Sequence, residues 1–262
     1  MIKTDIIIIG AGPVGLFAVF EAGLMKLRCH LIDGIPSPGG QLSEIYPKKP
    51  IYDIPGFPFI LAGELVDNLM EQAKPFKPGF TMGERAESIL RIDDGSFVVT
   101  TNEGTQHNAP IVFIAGGLGS FEPRKPKIDN LEKFENNGVH YFIKEPKNFR
   151  NKKVVISGGG DSALDWAIYF ANITKTSVGL VHRSEFFRAH KDSVAKMHEL
   201  RKKNKINLYT NSEVTGLKGE ENLNSLIIKG KDGNIHDVDL DFWFPLFGLS
   251  PKLGPIANWG FE

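Results

Sequence analysis

Cysteine is nearly missing from this chain. Cys29 is the single one in 262 residues, so no intramolecular disulfide can form and no pair of thiols can pass electrons between them. That usage fits a reducing compartment, and Cys29, inside an apparent strand, reads as a small buried apolar residue. Neither sign of charge is in excess: 31 basic side chains stand against 31 acidic ones, so no global field draws the protein to nucleic acid or to a membrane surface. There is no apolar run of membrane-spanning length, no low-complexity segment, and no charged prelude with an apolar stretch at the N-terminus. The expectation is a soluble, cytoplasmic protein. No histidine and cysteine cluster has metal-ligand spacing, so no metal is expected. What the chain has is glycine, 28 residues of it, and a 41% hydrophobic composition that can fill a large core, at a length suited to two domains.

The glycines are not scattered. Four branched residues, Ile6 to Ile9, run into Gly10-Ala11-Gly12-Pro13-Val14-Gly15, and Leu16 to Phe20 follow. This is the order strand, tight turn, helix. In a dinucleotide-binding turn Gly10 permits the bend, Gly12 lets a pyrophosphate approach the backbone, and Gly15 lets the helix pack on the strand. The N–H groups at the helix start face the phosphates. About twenty residues on, Leu31-Ile32-Asp33 ends a second strand in an acid suited to a ribose hydroxyl pair.

A loop rich in glycine and proline follows, with Gly40, Gln41 and Tyr46 close together, a mixture that suits a flat ring with polar edges; the alternative is a surface loop with a half-buried tyrosine. Glu64 to Lys74 has helical apolar spacing. Three short runs, Glu87 to Ile92, Ser96 to Thr101 and Thr105 to His107, are separated by Asp94-Gly95 and Glu103-Gly104 and read as hairpins. Ile111 to Ile114 reads as a buried strand ending in Ala115-Gly116-Gly117. Glu122 to Pro126 is a candidate domain crossing.

A second strand, turn and helix begins at Lys152: Val154 to Ser157, then Gly158-Gly159-Gly160-Asp161-Ser162-Ala163, then Leu164 to Ile173. Two such units argue for two nucleotides held by one chain, and so for redox transfer between them. The next strand, Ser177 to His182, ends without an acid. Arg183 follows and Arg188 is near, and arginine at that place favours a 2′-phosphate, hence NADP over NAD; the alternative is an ordinary surface cation. Lys191 to Asn204 reads as a helix whose Arg201, Lys202 and Lys203 form a solvated face or a docking patch for an acidic protein. Strands are expected around Asn207 to Tyr209, Leu226 to Lys229 and Val238 to Leu240, and Phe242 to Leu249 is read as the return to the first domain.

These stretches, with Gly39-Gly40-Gln41-Leu42-Ser43, Tyr46-Pro47, Ile51-Tyr52-Asp53, Asp165-Trp166, His182-Arg183, Phe187-Arg188-Ala189-His190 and Leu253-Gly254-Pro255-Ile256, resemble the thioredoxin-reductase-like ferredoxin/flavodoxin–NADP⁺ reductases along the whole chain. The resemblance implies an α/β fold with two Rossmann-like domains, an FAD domain interrupted by an inserted NADP domain. The expected bounds are 1–117 for the first part of the FAD domain, 118–241 for the NADP domain, and 242–262 for the return. It implies FAD contacts at Gly10, Gly12, Pro13, Val14, Gly15, Asp33, Gly40, Gln41, Tyr46, Ala86 and Phe121. NADP contacts fall on Gly158, Gly160, Asp161, Ser162, Ala163, His182, Arg183 and Arg188. It further implies a homodimer.

Two departures stand out. Thioredoxin reductases carry a C-x-x-C pair before the second glycine turn, and Val139 to Glu145 here holds no cysteine, which excludes dithiol exchange at that place. The family also continues past Trp259-Gly260-Phe261-Glu262 with a Gly-Asp turn on the FAD phosphates, a helix and an aromatic-bearing tail. The expectation is that the chain as given holds FAD weakly. The implied activity is a ferredoxin–NADP⁺ reductase: NADPH gives two electrons as hydride, ferredoxin or flavodoxin takes one at a time, and flavin converts between them. That scheme needs no side-chain acid or base, so no catalytic residue is assigned, His140 and His190 included. Two alternatives remain open, an NADPH-dependent flavoprotein that reduces a quinone or flavin, and a nucleotide-binding module without turnover.

Overall fold

The computed structural model describes residues 1–173 and 178–260, and the chain divides into two compact units. Residues 1–121 and 251–262 form the first, and residues 122–250 the second. Ser177, Phe261 and Glu262, named above, lie outside the described residues.

In the first unit four parallel strands lie in the order Ile111–Ile114, Ile6–Ile9, Cys29–Asp33, Gly79–Met82. The run of four isoleucines follows from burial on both faces of a parallel sheet. Ile8 and Leu31 pack under the helices Pro13–Leu24 and Ala62–Ala73, together with Leu16, Val19 and Val66. Ile7, Ile9 and Ile32 point the other way, onto Ala86, Val99 and Ala109. Those three belong to an antiparallel layer of Ala86–Arg91, Phe97–Thr101 and Gln106–Ala109, to which Ile2–Lys3 adds in parallel. Gly95 and Gly104 both adopt φ +84°, the left-handed conformation their hairpin turns require. Between the layers His30 Nε2 and His107 Nε2 each lie within hydrogen-bond distance of the Thr81 hydroxyl, at 2.8 and 2.9 Å.

Two expectations need correction here. The strand Ile111–Ile114 exists, yet Ile111, Phe113 and Ile114 are 47, 43 and 41% exposed. Among the described residues it is the outermost strand of its sheet, and none of them pairs with its other flank. The loop around Gln41 contains a single helical turn, Gln41–Glu44, which its glycine content concealed.

The second unit repeats the plan. Its parallel sheet runs Ile206–Tyr209, Val178–Val181, Val154–Ser157, Phe242–Pro245. Helices Asp161–Ile173 and Lys191–Lys202 accompany it, and Phe170 of the first stacks on Phe244 at 5.9 Å. The strands Ser212–Gly219, Leu223–Gly230 and Ile235–Asp239 form an antiparallel layer, and their Leu226 and Ile228 pack with Val155, Val181 and Trp243. Ser212–Gly219 was not expected, because two glycines interrupt its alternation. Phe242–Pro245, read from sequence as part of the return, pairs with Val154–Ser157, and this unit runs on to Ser250.

Candidate functional sites

The turn after Ile9 is held by backbone bonds: Gly10 N–H donates to Ile32 O at 2.8 Å, and Ala115 N–H to Ile9 O at 2.7 Å. Gly10 sits at φ +107°, and a Cβ there would collide with Ala115 O. A Cβ on Gly15 would collide with Gly10 O, so glycine is what lets the helix start against the strand. Gly12 differs from both. Nothing lies within 4 Å of where its Cβ would be, so its backbone is open to a ligand. Pro13 occupies the first helical position, where its missing N–H costs nothing, and Val14 is 62% exposed beside it.

Asp33 closes the turn from below. Its Oδ2 accepts from Ala11 N–H at 2.7 Å and its Oδ1 from Ile35 N–H at 2.9 Å. A carboxylate has about four lone-pair directions, so acceptor capacity for a ribose remains. The Gly39-Gly40 loop docks on the same turn: Gly39 N–H donates to Ala11 O at 2.8 Å, and a Cβ on Gly40 would stand 3.3 Å from Gly12 Cα. Gly40 is thus brought against Gly12, with half-buried Gln41 next in sequence. Tyr46 is half-buried, with the Lys49 ammonium 5.7 Å from its ring centre. Burial first, and the Asp53 charge second, push its hydroxyl above the ordinary tyrosine range. Ala86 is 3% exposed and belongs to the core, so only its backbone can meet a ligand. The side chain of Phe121 lies outside those described.

In the second unit Gly158 N–H donates to Val181 O at 3.0 Å and Leu246 N–H to Ser157 O at 2.8 Å. A Cβ on Gly158 would strike Leu246 O and Ala163, and Ala163 is fully buried, while Gly160 has nothing within 4 Å. Exposed Ser162 follows Asp161 in the first turn of the helix. Asp161 Oδ1 accepts from His190 N–H at 2.8 Å, which ties the start of the next helix to this one.

The His182 ring packs against Gly159, where a Cβ would run into the imidazole, and lies 4.8 Å from the Phe187 ring. Its Nε2 is 3.1 Å from Phe186 O. Burial is the main reason its proton affinity is lowered, and Arg183 and Arg188 lower it further. Arg188 N–H donates to Gly159 O at 2.8 Å, which turns the loop back over the glycines. Small-molecule and cofactor sites run to about 300–1,000 Å³, and a cleft of ≈ 650 Å³ opens here, lined by the glycine turn, His182, Arg183 and Arg188.

That cleft also gathers residues the sequence reading did not find: Arg124, Lys127, Glu213, Trp243 and the stretch Leu246-Phe247-Gly248. They are distant in sequence from the glycines, and only the closing of the sheet brings them near. Trp243 is fully buried, and its indole N–H donates to Ser157 Oγ at 2.8 Å beneath the turn. The single thiol, Cys29, is 5% exposed, and burial pushes it up to about 11. No group of three or more His, Cys, Asp or Glu able to hold a metal occurs among the described residues, nor any helix long and apolar enough to cross a membrane.

Known proteins share this arrangement. Residues 4–254 match the pyridine nucleotide-disulphide oxidoreductase family. "Ferredoxin--NADP reductase 2" of Christiangramia forsetii is 66% identical over 100% of this chain and 74% of its own length. A "Ferredoxin--NADP reductase" of Flavobacterium johnsoniae is 61% identical over the same shares, and one of Parvibaculum lavamentivorans is 48% identical over 99% of this chain and 75% of its own. Among solved structures, thioredoxin reductase of Lactococcus lactis in its FR conformation aligns with TM-score 0.81 at 26% identity, covering 98% of this chain and 82% of that one. Thioredoxin reductase of T. acidophilum aligns with TM-score 0.80 at 22% identity, over 95% and 78%, and supports the fold alone. The chain belongs to the pyridine nucleotide-disulphide oxidoreductases, and within them to the thioredoxin-reductase-like ferredoxin–NADP reductases.

Proposed function

We propose that this protein is an FAD-dependent ferredoxin–NADP⁺ reductase, with FAD on the first unit and NADP(H) on the second. The observation that carries the proposal is the pair of glycine turns in one chain, open at Gly12 and Gly160, with Asp33 ending the strand beside the first and Arg183 two residues past the strand beside the second. Both turns fit a dinucleotide. Gly12, Pro13, Val14 and Gly15 offer backbone to the FAD pyrophosphate, Asp33 offers lone pairs to the adenosine ribose, and Gly40, Gln41 and Tyr46 flank the ring end. Gly158, Gly160, Asp161, Ser162 and Ala163 form the matching NADP(H) turn, with His182, Arg183 and Arg188 on the 2′-phosphate side. Bound flavin supplies the exchange between two-electron hydride and single electrons. The chain's own part is to bind, orient and exclude water.

The electron partner proposed is ferredoxin, after which the relatives are named, or a flavodoxin. The cell compartment proposed is the cytoplasm, and the assembly a homodimer. The test is an anaerobic NADPH titration of the FAD-loaded protein, followed by ferredoxin. Bleaching of the flavin absorption by NADPH but not NADH, and its return on adding ferredoxin at a rate that falls with salt, is the expected result. A flavin that NADPH leaves oxidised removes the proposal, and one that reoxidises with quinone but not ferredoxin replaces the partner.

A further inference from the structure

Four cations line the cleft of the second unit: Arg124, Lys127, Arg183 and Arg188. No ion pair involving any of them occurs among the described residues. Reading a 2′-phosphate uses only Arg183 and Arg188, which leaves two cations facing an anion site without an assigned role.

The sheet order separates them. Val178–Val181, Val154–Ser157 and Phe242–Pro245 are successive neighbours. Arg183 follows the first of these strands, the glycine turn follows the second, and Leu246-Phe247-Gly248 follows the third. Arg124 N–H donates to Gly248 O at 3.1 Å, which fixes Arg124 to the third. Arg183 and Arg124 therefore stand on opposite sides of the glycine turn, with the open backbone of Gly160 between them. Lys127 lies three residues on, beside Ile128, which packs against the cluster of Val155, Val181 and Trp243 and so lays this segment along the cleft.

Charge at the turn gives these cations a task. The first turn of the helix Asp161–Ile173 begins with an acid, and a carboxylate there works against the helix's attraction for a pyrophosphate. We infer that Arg124, seconded by Lys127, holds the pyrophosphate of the coenzyme from the side opposite Arg183. Arg183 and Arg188 then select NADP over NAD, whereas Arg124 and Lys127 strengthen both alike. This inference rests on the NADP(H) reading of the second unit.

The experiment titrates three probes into the full chain: NADP⁺, ADP-ribose with a pyrophosphate but no 2′-phosphate, and 2′-AMP with the reverse. Arg124→Ala should weaken ADP-ribose and NADP⁺ by about three- to tenfold, the range of a solvent-accessible charge-assisted contact, and leave 2′-AMP unchanged. Lys127→Ala should give the same pattern at smaller size, Arg124→Lys should recover most of the loss, and Arg183→Ala should weaken 2′-AMP and spare ADP-ribose. Circular dichroism of each variant checks the fold. Loss of 2′-AMP equal to that of ADP-ribose in Arg124→Ala, or no loss of ADP-ribose, overturns the inference while wild-type NADP⁺ binding keeps the coenzyme reading. Wild-type protein that binds none of the three overturns both.

Discussion

The two glycine turns make the same backbone hydrogen bonds and differ in the side chain at the end of the neighbouring strand. Gly10 and Gly158 donate to Ile32 and Val181, so Asp33 and His182, the next residues, hold matching places. Asp33 reaches up to accept from Ala11 N–H, which leaves room for a methyl group on that turn residue. His182 fills the same space with its ring, and the matching turn residue must be Gly159. The charge differs as well: the first unit carries it on Asp33 itself, whereas in the second it stands one residue further on, at Arg183, where the first unit has uncharged Gly34. The end of this strand thus governs, over two adjacent residues, both the shape of the turn and the charge set beside it.

The comparison extends beneath the turns, and there the largest effect is expected. Beneath the first turn lie the His30–Thr81–His107 contacts, with the Glu84 charge acting on His107. Burial foremost, then His107, pushes His30 down to about 4. The folded state therefore favours neutral imidazole, the unfolded state binds the extra proton below about pH 6.5, and stability present above that pH is lost as pH falls toward 4. His30 alone should account for up to roughly 3 kcal/mol. Denaturant melts across that window should show the loss, and His30→Gln should flatten it; a variant with the wild-type slope rules His30 out as the source.

Filling the open glycines tests whether the turns work separately. Gly12→Val should weaken FAD binding, and Gly160→Val NADP(H) binding, each by roughly a hundredfold, because backbone contact with the pyrophosphate is blocked. Each variant should spare the other nucleotide. If Gly160→Val weakens FAD as much as NADP⁺, the assignment of one nucleotide per unit fails.

Arg183→Ala should raise the NADPH KM by about ten- to a hundredfold, the worth of a charge-assisted bond of ~1.5–3 kcal/mol. NADH should be nearly unaffected, and equal losses for both would show that Arg183 does not read the phosphate. Gly159→Ala, which gives the second turn the residue of the first, should cost about 1–3 kcal/mol by driving His182 off its seat. Thermal melts measure it, and a full-stability variant would mean the ring moves freely. Tyr46→Ala should have the smallest effect, ~0.5–1.5 kcal/mol of flavin affinity, read as a rise in flavin fluorescence on a folded protein. Unchanged affinity would return Tyr46 to the surface.

Much of this was legible in the residues because it is local. The runs Ile6 to Ile9 and Val154 to Ser157, the spacing of glycines after each, and Asp94-Gly95 or Glu103-Gly104 between short strands all report backbone geometry within a few residues of themselves. The turns, their helices and the hairpins therefore needed only the sequence. What the sequence could not give depends on residues meeting from far apart. The exposure of Phe113 follows from its strand's place at the sheet edge, which no local pattern encodes. Phe242–Pro245 could equally have served either unit until it paired with Val154–Ser157. Arg124 looks like any linker cation until its bond to Gly248 O sets it beside the cleft. Sequence determined which turns the chain can make and which charges follow them, because sterics and short-range hydrogen bonding act between neighbours. Tertiary structure alone decided which strands lie side by side and which cations line the cleft of the second unit, because strand order is settled by burial summed over the whole unit.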